Sequence, residues 1–428
     1  MKVQEVANNH RKFLKRTEWL LLIVLFFMVA GFFTWSENIG ITRAIKVFSR
    51  IGMTTAAFII HQMIVKKGAI GAFEWKNQWS PFLYFGYLGL SFTSFLWSTD
   101  VSYSALQWLM DLESLVFAFY FMKSLMLLDA YFPENTIRFY HLMGNTVFLL
   151  MLIFVLGMWF NPDDFMRLVE GGEDQRLGGY IMNPNELGML CGLGISCLIF
   201  DLYRNHQRWW TILKIAILAY ALIMTKSRSS LVGLLLIIYF HLRRSESKIL
   251  KYAIYTAIIG VIPIAVEKLI LRKGGIDDLL SMTGRMPFWK ALINEGLPRE
   301  PWFGFGFMRI DYKDHFESVH TYAGHMTHNT FMQVLMNLGF VGFLLAITQL
   351  TFTIRGFLKE PEEKKLMLLG ILIPVLINSF TEFGIFGETN YGILFYQMLI
   401  FSISLKTYDR FTTSERLFLK RRRPDLSL

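Results

Sequence analysis

Only two cysteines occur, Cys191 and Cys197, and both fall inside one apolar segment. That placement excludes a disulfide framework or a cysteine zinc site and reads as packing. Alternating ten-residue strands of a membrane barrel are absent, as are internal repeats, low-complexity tracts and any appended soluble domain. Charged residues make up only 18% of the chain. No small-residue cleavage site follows the apolar run after Lys15-Arg16, so no cleavable signal peptide is expected.

What is present is hydrocarbon. Of 428 residues, 54% are hydrophobic and 16% aromatic, with a mean hydropathy of +0.40. Apolar windows of about 20 residues recur, each long enough to cross roughly 30 Å of hydrocarbon as a helix. Backbone groups in lipid must be satisfied internally, so these windows predict helices. The expected fold is therefore all-α, a polytopic membrane protein forming a single integral domain over 1–428. About twelve spans are predicted, at 18–35, 42–64, 80–97, 105–127, 138–160, 184–203, 209–225, 229–242, 250–270, 329–354, 365–383 and 390–406. The second is interrupted by Arg43, Lys46, Arg50 and His61.

The net charge of +10 does not call for nucleic acid. Basic residues gather in alternate short loops and at both tails, the distribution of cytoplasmic segments. Loops such as 204–208, 243–248 and 359–365 are basic, whereas 98–104 and 384–388 carry no Lys or Arg. This pattern places both termini in the cytoplasm, and Lys420 to Arg423 suit anionic membrane lipids. Two substantial extracytoplasmic loops result, 161–183 and 271–328, the larger between spans nine and ten.

Four segments on that outer side carry unusual polarity. Arg176 precedes Asn183-Pro184-Asn185-Glu186, where Asn and Pro also suit a plain helix start and Glu186 favours its dipole. Lys226 and Arg228 sit in a tight turn among serines, either as snorkelling cations or as a phosphate clamp, since guanidinium forks match phosphate oxygens. Arg285 lies in the long polar segment, with Trp289 and Trp302 as candidate headgroup-level anchors. The Arg285–Ile293 stretch has helical spacing. His328 and Asn329 then open an apolar helix, as cap or as catalyst.

Arg176 with Asn183 to Gly188, Ser227 to Ser230, Gly284-Arg285 with Trp289 and Gly304 to Gly306, and His328-Asn329 with Gly339 and Gly342 together resemble the O-antigen ligase and polymerase superfamily over residues 170–345. The resemblance implies a fold related to the GT-C glycosyltransferases. It implies a donor glycan on undecaprenyl diphosphate, transferred outside a bacterial cytoplasmic membrane without a metal or other cofactor. A flippase and a chain-length regulator are the partners such a setting suggests, besides membrane lipids and a glycan or lipid acceptor.

The residues suit that chemistry. A sugar diphosphate already bears its leaving group, so catalysis needs a base for the acceptor hydroxyl and positive charge for the departing diphosphate. An imidazole is competent near neutral pH, which makes His328 the candidate general base. Arg176, Arg228 and Arg285 are the candidate diphosphate ligands, Arg285 also catalytic, with Asn183, Asn185, Glu186, Lys226 and Asn329 supporting. Direct displacement would invert the anomeric centre. Outer carboxylates are few (Glu37, Asp100, Asp163-Asp164 and, more weakly, Asp277-Asp278), and the Asp163 pair reads as a helix start, so a metal-free site is expected. A polymerase is favoured over a ligase by arginines in both outer loops and by Arg167–Gly178 and Arg285–Gly296, whose spacing resembles a polymerase feature of this group. A flippase is the alternative from another class. It is disfavoured because deep ionisable residues are few (Asp111, Glu113, Lys123) and no inverted repeat is visible.

Overall fold

A computed structural model describes residues 2–66, 73–131, 138–169, 174–204, 208–244, 252, 285–307, 310, 326–382 and 384–407. Helices dominate: α1 (Lys2–Ala30), α2 (Ile39–Lys66), α3 (Trp79–Thr93), α4 (Val101–Tyr131), α5 (Phe139–Phe160), the single turn α6 (Pro162–Phe165), α7 (Pro184–Arg204), α8 (Arg208–Thr225), α9 (Arg228–Arg244), α10 (Arg285–Ala291), α11 (Thr330–Leu358), α12 (Glu362–Thr381) and α13 (Tyr391–Ser404). Each expected span coincides with a helix except 250–270, which lies outside the described residues. Among the described residues, five helices (α5, α7, α8, α11 and α12) are long and apolar enough to cross a membrane, and α13 is a shorter apolar one. The all-α expectation needs one amendment: two small antiparallel ribbons are present.

One ribbon pairs β1 (Phe73–Trp75) with β4 (Leu405–Thr407), joining the start of α3 to the end of α13. The other pairs β2 (Met166–Val169) with β3 (Asp174–Leu177). It occupies much of the 161–183 loop and presents Arg176. In the 271–328 loop the described residues are α10, a π-helical turn (Leu292–Gly296), the segment leading to Phe307, Ile310, and 326–328.

The most buried element is α13, every residue of which is buried. A helix apolar all round belongs inside a bundle, and α13 packs against α4 and α12. Its polar Gln397 is satisfied there: its amide donates to Tyr84 Oη and Asp111 O, and Ser114 Oγ donates to its carbonyl oxygen. Burying a polar amide demands such partners.

The charges interrupting the second span are accommodated in the same way. Arg50, 1% exposed, forms an ion pair of 2.6 Å with Glu113, donates to Met110 O and stacks on Phe32. An ion at this depth is tolerated when paired, so α2 packs on α4 despite its charges.

Helix α11 is broken once. Gly339 has φ +62° and ψ −162°, and the segment 301–306 docks into the break. Phe340 N and Val341 N donate to Pro301 O and Trp302 O, while Phe305 N and Gly306 N donate to Met336 O and Asn337 O. The four bonds replace ladder partners lost at the break, as buried backbone groups require. A Cβ on Gly339 would lie 2.3 Å from Trp302 C, and one on Gly304 (φ +65°) 2.5 Å from Asn337 C. Two glycines thus let the 301–306 segment and the helix meet backbone to backbone.

Candidate functional site

The site lies at one end of the bundle, where α11 begins and α12 ends. Glu382, the residue after α12, is its hub. Its side chain is 1% exposed, and its own N–H donates to Asn378 O, closing the helix. Three of the expected side chains converge on it. His328 Nδ1 lies 2.7 Å from Oε2, Arg285 Nη2 donates to Oε1 at 2.9 Å, and Asn185 Nδ2 donates to Oε1 at 2.8 Å. Arg176 joins through Asn185: its Nη2 donates to Asn185 Oδ1 at 2.7 Å, and its Nε to Thr225 O at 2.8 Å. Arg285 Nη1 also donates to Thr381 O. The result is a continuous chain, Arg176–Asn185–Glu382, which ends on Arg285 and His328 together.

Local sequence accounts for each placement. Asn183 caps α7, its Oδ1 accepting from Asn185 N, so it acts as the helix start and positions Asn185 without entering the network. Asn329 likewise caps α11, accepting from Phe331 N and Met332 N. Its capping fixes the backbone just after His328. Thr327 is held by Gln333 and Asn329, and its carbonyl accepts from the Trp289 indole at 2.8 Å. Trp289 is thus tied to the His328 turn. Trp302 remains exposed.

His328 has φ +52° and Lys226 φ +50°, the two non-glycine residues in the left-handed region among those described. Such a conformation costs an L-residue about 1–2 kcal/mol and concentrates where surroundings hold a side chain for a task. The turn bearing Lys226 and Arg228 is fastened to the network through Ser230 and the Thr225 carbonyl. Ser230 Oγ donates to Asn185 O at 3.1 Å, and Thr225 O is the carbonyl held by Arg176. Arg228, half-buried, opens α9 on this turn. Glu186 sits in the first turn of α7, and its carbonyl accepts from Tyr391 Oη.

Glu382 was not among the expected site residues. Its only signal in the sequence is a carboxylate at the end of an apolar span, where an ionisable group is functional by default. Burial pushes its carboxyl up. The His328 imidazole, the Arg285 guanidinium and the Asn185 amide outweigh that, and the net direction is down. An ionised Glu382 is acceptor-only, so the proton between it and His328 belongs on Nδ1. No group of three or more His, Cys, Asp or Glu side chains suited to a metal is present among the described residues; the donors around Glu382 are guanidinium, imidazole and amide.

Bundle and apolar helices define a multi-pass helical membrane protein. Residues 213–347 match the O-antigen ligase family, which assigns that stretch to the O-antigen ligase and polymerase superfamily and supports a function of that type. The match includes Arg228, Arg285 and His328, whereas Arg176, Asn185 and Glu382 lie outside it. No curated protein matches the chain.

Proposed function

We propose that the protein is a polysaccharide polymerase. It transfers a glycan from undecaprenyl diphosphate to a hydroxyl of an acceptor glycan on the outer face of a bacterial cytoplasmic membrane. The observation that carries the reading is the His328–Glu382 contact of 2.7 Å, set beside Arg285 on the same carboxylate. A carboxylate on one ring nitrogen fixes tautomer and orientation and leaves the other nitrogen as the base.

His328 Nε2 takes the acceptor hydroxyl proton as that oxygen attacks the anomeric carbon. The bond from that carbon to the diphosphate oxygen breaks, and its electron pair leaves with the diphosphate. Attack opposite to departure inverts the centre. Arg176 and Arg285, fixed by Asn185 and Glu382, supply preorganised positive charge, and Arg228 on the adjoining turn adds a third cation. One such preorganised donor is typically worth about 3–4 kcal/mol in the transition state. Lys226 supports the same turn. No step requires a metal. The positive-inside pattern supports an extracytoplasmic position for this end of the bundle.

The description of the matched family as a ligase favours a second reading, transfer of the glycan to a lipid or protein acceptor. Reconstitution with lipid-linked repeat units, followed by sizing of the products, separates the two. A ladder of lengths on the lipid supports the polymerase, and glycan on a new carrier supports the ligase. Lipid-linked units moved across the bilayer with length and carrier unchanged would indicate a flippase and overturn both.

A further inference from the structure

A second polar cavity lies at the far end of α11. Thr330 and Arg355 stand 25 positions apart on the two arms of α11, which at 1.5 Å each is at most roughly 37 Å of path across the break at Gly339, enough to cross a bilayer's hydrocarbon of about 30 Å. The end of α11 away from His328 is thus where the opposite membrane interface falls. The cavity there has a volume of about 380 Å³ and is lined by Trp75, Lys76, Trp79, Phe352, Arg355 and Lys359 among others. The β1–β4 ribbon closes one side, with Lys76 N donating to Ser404 O at 2.8 Å. Asn77 Nδ2 donates to Phe352 O and braces it against α11.

Charge and shape here are specific. The nearby buried carboxylate, Glu360, is already matched by two lysines, Lys76 at 3.1 Å and Lys364 at 3.3 Å. Arg355 and Lys359, both exposed, therefore add positive charge beyond what Glu360 neutralises. Arg355 lies against the Phe352 ring, 5.6 Å from its centre, and Trp79 packs on the same ring at 6.2 Å. Below the cavity α3 turns exposed apolar side chains outward: Trp79 at 51%, Phe82 at 64% and Phe85 at 51%. Cations above, indoles at the rim and an apolar track beneath are the elements that hold an anionic lipid headgroup with its chains in the bilayer.

We infer that this cavity binds the phosphate headgroup of an anionic phospholipid in the leaflet opposite the candidate site. The inference does not depend on the transferase reading. The full chain is purified in detergent and exchanged into nanodiscs containing equal phosphatidylglycerol and phosphatidylcholine. Native mass spectrometry after release then counts the retained lipid. Wild type retains phosphatidylglycerol in preference, and the double variant Arg355→Gln, Lys359→Gln, which leaves the Lys76–Glu360 pair intact, loses that preference by about tenfold. Lys365→Gln, which removes a cation paired with exposed Glu362, retains it. A thermal midpoint for each variant shows that it is folded. If the double variant does not fold, Lys359→Gln alone, an exposed change, is read instead, with a partial loss expected. Equal retention of both lipids, unchanged preference in the folded variant, or displacement of the lipid by millimolar inorganic phosphate overturns the inference, the last by assigning the cavity to free phosphate.

Discussion

His328 Nδ1 and Glu382 Oε2 are 2.7 Å apart, although the residues are 54 positions apart in the chain. The contact makes the end of α12 a support for the start of α11. In the proposed mechanism it also divides labour: the imidazole takes the acceptor proton, and the carboxylate holds the imidazole. Glu382→Gln keeps shape and Arg285's acceptor but removes the charge that selects the Nδ1 tautomer. Transfer should fall by about 100-fold or more, by analogy with carboxylates that orient catalytic imidazoles, chiefly in kcat, with donor KM little changed. Initial rates on lipid-linked substrate check this. A Glu382→Gln enzyme with wild-type kcat would remove Glu382 from the mechanism.

His328→Asn tests the base itself without the folding problem that alanine raises. Asparagine tolerates the left-handed conformation found at φ +52°, and its amide can still donate to the Glu382 carboxylate. It has no nitrogen to accept a proton. The variant should unfold within a few degrees of wild type and lose transfer by about 10²–10⁴-fold, the usual contribution of general base catalysis. Polymer or ligated product at wild-type level in that variant would reject the base assignment.

Acid should reveal the Glu382 network. Its carboxyl is held below its ordinary value, so between the folded and unfolded values the unfolded chain binds more protons. The stabilisation is complete above the unfolded value of about 4.3 and is lost as pH falls through the lower folded one. Thermal midpoints of wild type should therefore drop more steeply below about pH 4.5 than those of Glu382→Gln. Parallel curves for the two proteins would mean that the carboxyl titrates alike folded and unfolded.

Arg228 differs from Arg285 in what it holds. Arg285 bonds Glu382 and Thr381, so its loss disturbs His328 as well as any diphosphate. Arg228 sits half-buried on the Ser227–Ser230 turn. Arg228→Gln should raise the donor KM by about 10-fold or more, the value of a hydrogen bond to a charged group, with a smaller effect on kcat. An unchanged KM would take Arg228 out of the diphosphate site. Arg285→Gln should lower kcat as well.

Much of this was legible in the sequence because lipid imposes a simple rule: apolar runs of helical length, with charges at their ends. Arg176, Arg285 and His328 stood out as polar groups beside spans on the side where positive charge is scarce. Glu382 did not, because its meaning lies in partners 54, 97 and 197 residues distant, and one carboxylate at the end of the 365–383 run carries no periodicity. The break in α11 was equally hidden. Residues 329–354 read as one apolar run, and only the backbone of 301–306, arriving from the preceding loop, makes an interruption at Gly339 affordable. Arg50 misled in the opposite sense: it weakened the second span on paper, yet its partner Glu113 lies on the neighbouring helix.

That break yields the last prediction. Gly339 accepts the 301–306 segment with a positive φ and with Trp302 backbone where a Cβ would stand. Gly339→Ala therefore combines a left-handed alanine, at about 1–2 kcal/mol, with a clash that backbone must yield to. The helix cannot simply straighten, because Phe340 and Val341 would then give up Pro301 O and Trp302 O. The variant should lose well over 1 kcal/mol of stability, read as a lower thermal midpoint in detergent. Gly86→Ala on α3, where the nearest atom to an added Cβ is Leu345 Cδ1 at 3.9 Å, should cost less. Transfer by Gly339→Ala should fall with loop docking, since Asn337, which receives the loop, lies on the same helix that His328 precedes. Equal midpoints for the two variants would mean that the docking of 301–306 does not hold α11 in its broken form.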